Sequence, residues 1–170
     1  MVVLDLSAAF PRLAWVGAEG AIQGVSLPVN LQAMAERISP KGLWSEWEME
    51  QAIAEVEDAV MPWRSRLPDQ AAVYGIDPMV AQIAQWAGMP EHASHWTLHT
   101  DAVEGLFNRL MARLQGRPAT QDALPITGWF AAGVLFLREW LHHLKGDRIT
   151  ILRLPGAEQG GDTPHTQEGG

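Results

Sequence analysis

Histidine side chains are the first candidates for chemistry in this sequence. Three of them lie close together at His92, His95 and His99, and a fourth follows a glutamate as Glu139-x-x-His142. A spacing of three residues places a carboxylate and an imidazole on one face of a helix. Neutral imidazole and carboxylate groups are ligands of zinc and iron. The sequence therefore offers these five residues as a metal site, provided that the fold brings the two groups together.

The same residues also have an interpretation without a metal. Metal sites in helical bundles use two Glu-x-x-His pairs and two further glutamates, whereas this sequence has one such pair. The zincin order His-Glu-x-x-His is absent as well. Histidines near the carboxyl end of a helix are favoured by its dipole. The main expectation is therefore that the protein needs no cofactor, with zinc or iron as the alternative.

An acidic segment is the second candidate for function. Residues 45–58 contain six acidic side chains and no basic one, although the whole chain has a net charge of −8. Tryptophan, which is enriched at protein interfaces, flanks this segment. The predicted protein-binding surface consists of Trp44, Trp47, Glu50, Glu55, Glu57 and Trp63. Its partner would be a protein with a basic surface; the alternative is a solvated helix face.

Signatures of other enzyme classes are missing. The sequence has no cysteine, no Gly-x-Ser-x-Gly elbow and no glycine-rich nucleotide-binding motif. The main functional hypothesis is therefore a non-enzymatic accessory, adaptor or assembly protein. The alternative is a histidine and carboxylate metal protein, such as a metal-dependent hydrolase or oxidase. A bundle that binds a small molecule among its tryptophans and methionines is a third possibility.

Charge and hydropathy restrict the partners and the location. A sequence pI of about 5.1 argues against nucleic-acid binding, which needs a basic surface. The longest uncharged apolar run, 126–137, is shorter than the roughly 20 residues of a membrane span. We expect a cytoplasmic protein, and ten arginines against two lysines are typical of a GC-rich bacterial genome. The sequence does not predict the oligomeric state.

Periodicity and capping residues predict the elements that must position these side chains. Strands are predicted at 2–6, 12–16, 21–27 and 149–154, the middle two forming a hairpin. Helices are predicted to begin at Leu31, Ser45, Asp77, Asp101 and Thr127. The segment 91–100 is predicted to be a polar loop.

These elements together predict a mainly α-helical fold. About five helices would form one domain over residues 1–154, and a small β element would join the N-terminal strands to the C-terminal strand. Residues 155–170 are rich in glycine and have little apolar surface to bury, so a disordered tail is expected there.

Overall fold

The computed structural model describes residues 1–17, 19–37, 45–67, 71–90, 95–144 and 146–152. The predicted tail, Trp44 and His92 lie outside these described residues. The strands are β1 Val2–Asp5, β2 Arg12–Val16, β3 Ile22–Ser26, β4 Val73–Gly75, β5 His95–His99 and β6 Arg148–Leu152. The helices are α1 Leu31–Glu36, α2 Glu46–Val60, α3 Pro78–Trp86, α4 Thr100–Leu114 and α5 Gly128–His143.

A mixed sheet of six strands organises the fold. The strand order is β3-β2-β1-β4-β6-β5, with β1, β4 and β6 parallel and the outer strands antiparallel to their neighbours. The prediction of a mainly α fold with a small β element is therefore wrong, and the fold is α/β. The C-terminal strand also pairs with β4 and β5 rather than with the N-terminal strands.

Two strands were missed in the sequence. Strand β4 has three residues, too few for a two-residue alternation to stand out. Strand β5 has the sequence His-Trp-Thr-Leu-His, and its alternation of polar and apolar residues is that of a half-buried strand. The predicted polar loop is therefore wrong over His95–His99.

The two faces of the sheet are unequal. Val2, Leu4 and Ile151 point to one face and are fully buried, whereas Val3 and Thr150, on the other face, are only half-buried. The register aligns Leu4 with Leu13 and with Gly75, so the buried positions form a continuous layer across neighbouring strands. The helices therefore cover one face of the sheet, with α3 packed on β6.

Helix α5 lies at the centre of the helical layer. Eleven of its 16 residues are buried, and it packs against α1, α2, α3 and α4. This agrees with the prediction that a helix without a polar face belongs in the middle of the fold. No helix among the described residues has the length and apolar character needed to cross a membrane.

Capping residues explain where most helices begin. Ser45 and Glu48 form the predicted capping box of α2, and the Thr127 hydroxyl accepts a hydrogen bond from Phe130 N at the start of α5. Asp101 was predicted to cap α4, but the N-cap is His99, two residues earlier, and its side chain makes no capping hydrogen bond. Asp101 lies in the first turn of α4, where its negative charge still interacts favourably with the helix dipole.

One buried carboxylate joins the end of β1 to the beginning of α3. Asp77 Oδ1 accepts hydrogen bonds from Met79 N at 2.8 Å and Val80 N at 3.1 Å, as an N-cap does. Its Oδ2 accepts from Leu6 N at 2.8 Å, 71 residues away in the chain. Burial raises the pKa of Asp77, and the three N–H donors oppose that rise. Asp77 therefore satisfies three backbone donors where β1 and β4 end.

A close approach of two backbones fixes α1 on α5. A Cβ atom added to Gly128 would lie 2.8 Å from the Ala35 carbonyl carbon and 3.1 Å from its Cα. These are backbone atoms, which cannot rotate away as a side chain can. Glycine at position 128 is therefore required by the distance between the helices.

Loss of the Asp77 carboxylate should destabilise the fold in proportion to the donors it leaves unpaired. We expect Asp77→Ala to lower the free energy of unfolding by about 2–4 kcal/mol, because a cap and a buried acceptor are both lost. Asp77→Asn keeps one acceptor oxygen for α3 and should cost about 1–3 kcal/mol. Urea unfolding followed by circular dichroism measures both, with the exposed Asp58→Asn as control. Equal stability of the Ala variant and the wild type would contradict this role.

Two glycine substitutions should have opposite effects on stability. Gly128→Ala should cost about 1–3 kcal/mol through overpacking against α1. Gly105→Ala, in the exposed part of α4 where an added Cβ meets nothing within 4 Å, should add about 0.5–1 kcal/mol. The measurement is the melting temperature of each variant. A Gly128→Ala protein as stable as Gly105→Ala would show that α1 and α5 are not in this close contact.

Candidate functional site

The carboxyl ends of the parallel strands define the first candidate site. Strands β1, β4 and β6 are parallel, so Asp5, Gly75 and Leu152 lie toward the same edge of the sheet. Ligands of open α/β sheets bind in the crevice outside the carboxyl ends of the strands. We call this part of the molecule the carboxyl edge.

Asp5 is the accessible acidic side chain that β1 presents at the carboxyl edge. Its Oδ1 accepts a hydrogen bond from Ser7 N at 2.8 Å, and its Oδ2 accepts one from the Arg12 guanidinium at 2.7 Å. Burial raises the pKa of Asp5, but the hydrogen bonds from Ser7 and the charge of Arg12 outweigh that effect and lower the pKa below its usual value. Asp5 is therefore an anion at neutral pH, suited to bind a cation or to orient water rather than to donate a proton.

An open cleft lies beside this pair. It has a volume of about 440 Å³ and is lined by Asp5, Arg12, Ser26 and Ile76 together with residues of the half-buried sheet face. The Arg12 side chain is 55% exposed and the Asp5 side chain 20%. A small anionic ligand can thus reach both side chains from solvent. The sequence signal for this site is Asp5 itself, the aspartate that ends the apolar strand β1.

A second group of possible ligands lies between α2 and α5. Glu57, Glu139 and His143 each place a ligand atom within 4.8 Å of the others. His143 Nε2 is 3.0 Å from Glu57 Oε1 and 3.4 Å from Glu139 Oε2. Because such a donor set suits a metal ion, the expectation of no cofactor is corrected, and the alternative of a metal gains support. Sequence spacing could not identify Glu57 as a possible metal ligand, because it lies on α2 whereas Glu139 and His143 lie on α5.

The predicted metal ligands are distributed over several elements. His95 and His99 are exposed on β5, Glu139 is buried in α5, and His142 Nε2 lies 3.1 Å from Glu104 of α4. The group Glu57, Glu139 and His143 is the one set of three such ligands found within the described ranges. Of the predicted five, Glu139 alone belongs to it, and the set as predicted is not assembled there.

The predicted acidic binding surface is divided by its own ion pairs. Glu55 accepts two hydrogen bonds from Arg37, at 2.5 and 2.7 Å, and Glu57 faces His143. Trp63 is buried, with its ring 5.5 Å from that of Trp15. Glu50 and Trp47 are exposed, so binding of a basic partner there stays a prediction.

Comparisons with known proteins identify the fold through solved structures. No family model matches the chain, and no curated protein matches its sequence. The structure of the type II variant of the Ppx/GppA phosphatase from Aquifex aeolicus has a TM-score of 0.68 at 12% identity, covering 89% of this chain and 52% of that one. An exopolyphosphatase from Cytophaga hutchinsonii has a TM-score of 0.63 at 13% identity, with coverages of 89% and 52%. An exopolyphosphatase-like protein has a TM-score of 0.64 at 15% identity, with coverages of 89% and 55%.

These similarities correct the expected class of protein. Proteins described as phosphatases share the fold, so the hypothesis of a non-enzymatic accessory or adaptor protein is wrong, and the alternative of a hydrolase agrees better with the findings. At 12–15% identity the likeness concerns the fold. The chain spans about half the length of the structures that it matches, and over that half it has the fold of the Ppx/GppA phosphatases.

Proposed function

We propose that this chain is a domain of a phosphohydrolase that cleaves phosphoanhydride bonds at the carboxyl edge. The observation that carries the proposal is the position of Asp5, an ionised carboxylate at the end of β1 beside an open cleft. The common fold with structures described as exopolyphosphatases suggests inorganic polyphosphate as the substrate to test first. We also place the protein in the cytoplasm as part of this proposal.

Arg12 is the group that would bind the anionic substrate. One terminal nitrogen of its guanidinium donates to Asp5, and the exposed side chain leaves further N–H groups accessible to a phosphate oxygen. Guanidinium groups bind phosphate well because their planar array of donors matches its oxygens. Asp5 would keep this guanidinium in place at the rim of the cleft.

Asp5 fits the role of a cation ligand at this edge. Mg²⁺ in phosphate-processing sites is commonly held by one or two protein carboxylates together with substrate phosphates. Asp5 supplies one such carboxylate, because it is partly exposed and, among the described residues, each of its oxygens accepts a single hydrogen bond. Asp77, in contrast, is buried and accepts three backbone hydrogen bonds. A bound cation would neutralise charge on the phosphate, and Asp5 would hold it next to Arg12.

The extent of the chain has a consequence for this proposal. The similar structures are about twice as long as the region they have in common with this chain. We therefore propose that a further polypeptide, in the same or another protein, faces the carboxyl edge and adds to the substrate contacts that Asp5 and Arg12 make. The predicted protein partner with a basic surface would bind elsewhere, at the exposed acidic residues of α2, and stays a separate proposal.

Replacement of Asp5 tests the proposed site. With Mg²⁺ present, we expect the wild type to bind tripolyphosphate in calorimetry and to release phosphate from it. Asp5→Asn keeps the size of the side chain but removes its charge, and it should lower kcat/KM by about 100-fold or more, as loss of a transition-state contact does.

Asp147→Asn is the matched control, because Asp147 is an exposed aspartate next to the amino end of β6. It should leave both measurements unchanged. Absence of tripolyphosphate binding in the wild type, or equal activity of Asp5→Asn and the wild type, would refute the proposal.

A further inference from the structure

A buried carboxylate in the second half of α5 lies between several charged side chains. Glu139 is only 2% exposed, and it follows a mainly apolar stretch of α5. Its Oε1 accepts a hydrogen bond from the Arg138 guanidinium at 2.5 Å, and its Oε2 points toward His143. Burial of a charged group is unfavourable unless other charges or a metal compensate it. The surroundings of Glu139 must therefore provide that compensation.

The distances around His143 are close to those between donor atoms that share one ion. Zinc bonds to imidazole nitrogen and carboxylate oxygen are about 2.0–2.2 Å long, so ligand atoms around a tetrahedral zinc are about 3.3–3.6 Å apart. His143 Nε2 lies 3.0 Å from Glu57 Oε1 and 3.4 Å from Glu139 Oε2. A small outward movement of Glu57, whose side chain is 37% exposed, would lengthen the shorter of these distances into that range. The three ligand atoms all lie within 4.8 Å of one another.

The net charge of the neighbourhood also favours a divalent cation. Glu57, Glu104 and Glu139 are three carboxylates, and Arg138 is the guanidinium that bonds to two of them. With His142 and His143 counted as neutral, these six side chains sum to −2. One Zn²⁺ between Glu57, Glu139 and His143 would balance that charge.

Neighbouring side chains already orient the ligands. Arg138 holds one oxygen of Glu139 and, through Nε, Glu104 Oε2 at 2.9 Å, which leaves the other Glu139 oxygen toward His143. Glu139 and His143 are one turn apart on α5, so they face the same side, toward α2. Hydrogen bonds that fix the direction of a ligand are typical of metal sites.

We infer that Glu57, Glu139 and His143 bind one zinc ion that connects α2 to α5. Three protein ligands leave the fourth position for water. Helix α5 ends shortly before β6 begins, so His143 lies toward the amino ends of the parallel strands, at the opposite edge from Asp5. The zinc site is therefore independent of the proposed phosphohydrolase site, and either proposal can fail without the other.

Zinc uptake by the untagged, metal-free protein tests this inference. Equilibrium dialysis should find about one zinc per chain, and zinc should raise the melting temperature, because an ion that binds the folded state stabilises it. Mg²⁺, which prefers six oxygen ligands, should not raise it at the same concentration. Cobalt(II) in place of zinc should give the visible absorption of a four-coordinate site.

Variants of the proposed ligands, compared with variants of nearby residues, then identify the side chains that bind zinc. Glu57→Gln and His143→Gln should weaken zinc binding by about 100-fold or more, since each removes a direct ligand. The controls His142→Gln and Glu50→Gln, on the same two helices, should bind zinc as the wild type does. Circular dichroism of the metal-free variants shows whether each is folded.

Two results would overturn the inference. One is a wild type that neither takes up zinc nor gains thermal stability from it. The other is loss of zinc in His142→Gln or in His95→Gln/His99→Gln while His143→Gln keeps it, which would assign the metal to the predicted histidine set instead. If His143→Gln does not fold, Glu57→Gln decides instead, because loss of zinc there supports the inferred set and wild-type zinc binding there overturns it.

Discussion

Helix α5 imposes the constraint on which the rest of the structure depends. Its first half is apolar on all sides, so each side must be covered by other parts of the chain. Helices α1, α2, α3 and α4 provide that cover, and glycine at position 128 lets α1 approach closely enough. The same central position buries Glu139, so the acidic side chain needs Arg138 and His143 beside it. Packing of one apolar helix thus also determines where the charged groups of α2, α4 and α5 meet.

Local patterns in the sequence predicted most helices and strands, but not the fold class. The cap residues Ser45, Asp77 and Thr127 begin their helices as predicted, because capping depends on a few neighbouring residues. The sheet could not be predicted in this way. Its central pairs join β1 to β4 and β4 to β6, which are far apart in sequence, and β4 is too short to show a period. Parallel pairing leaves no hairpin signal, so the strands appeared as a minor element.

The candidate sites show the same limit for side chains. Glu139 was predicted as a ligand from its spacing to His142, yet the ring that meets it is that of His143, the next residue. Spacing identifies the face of a helix but not which neighbouring helix lies against it, and here that helix supplies Glu57. Asp5 was not among the predicted site residues, because the carboxyl edge at which it lies exists only once the parallel strands are aligned. The sequence also did not predict that Glu55 would pair with Arg37 and Glu57 with His143, two pairs that divide the acidic surface.

The position of β5 in the sheet has a consequence for how the protein folds. Its one neighbour within the described strands is β6, and Thr97 pairs there with Thr150. During synthesis β5 therefore emerges well before the strand that holds it, with α4 and α5 made in between. Pairings between distant parts of a chain slow folding, and an unpaired strand with Trp96 and Leu98 on one face is prone to associate with other chains.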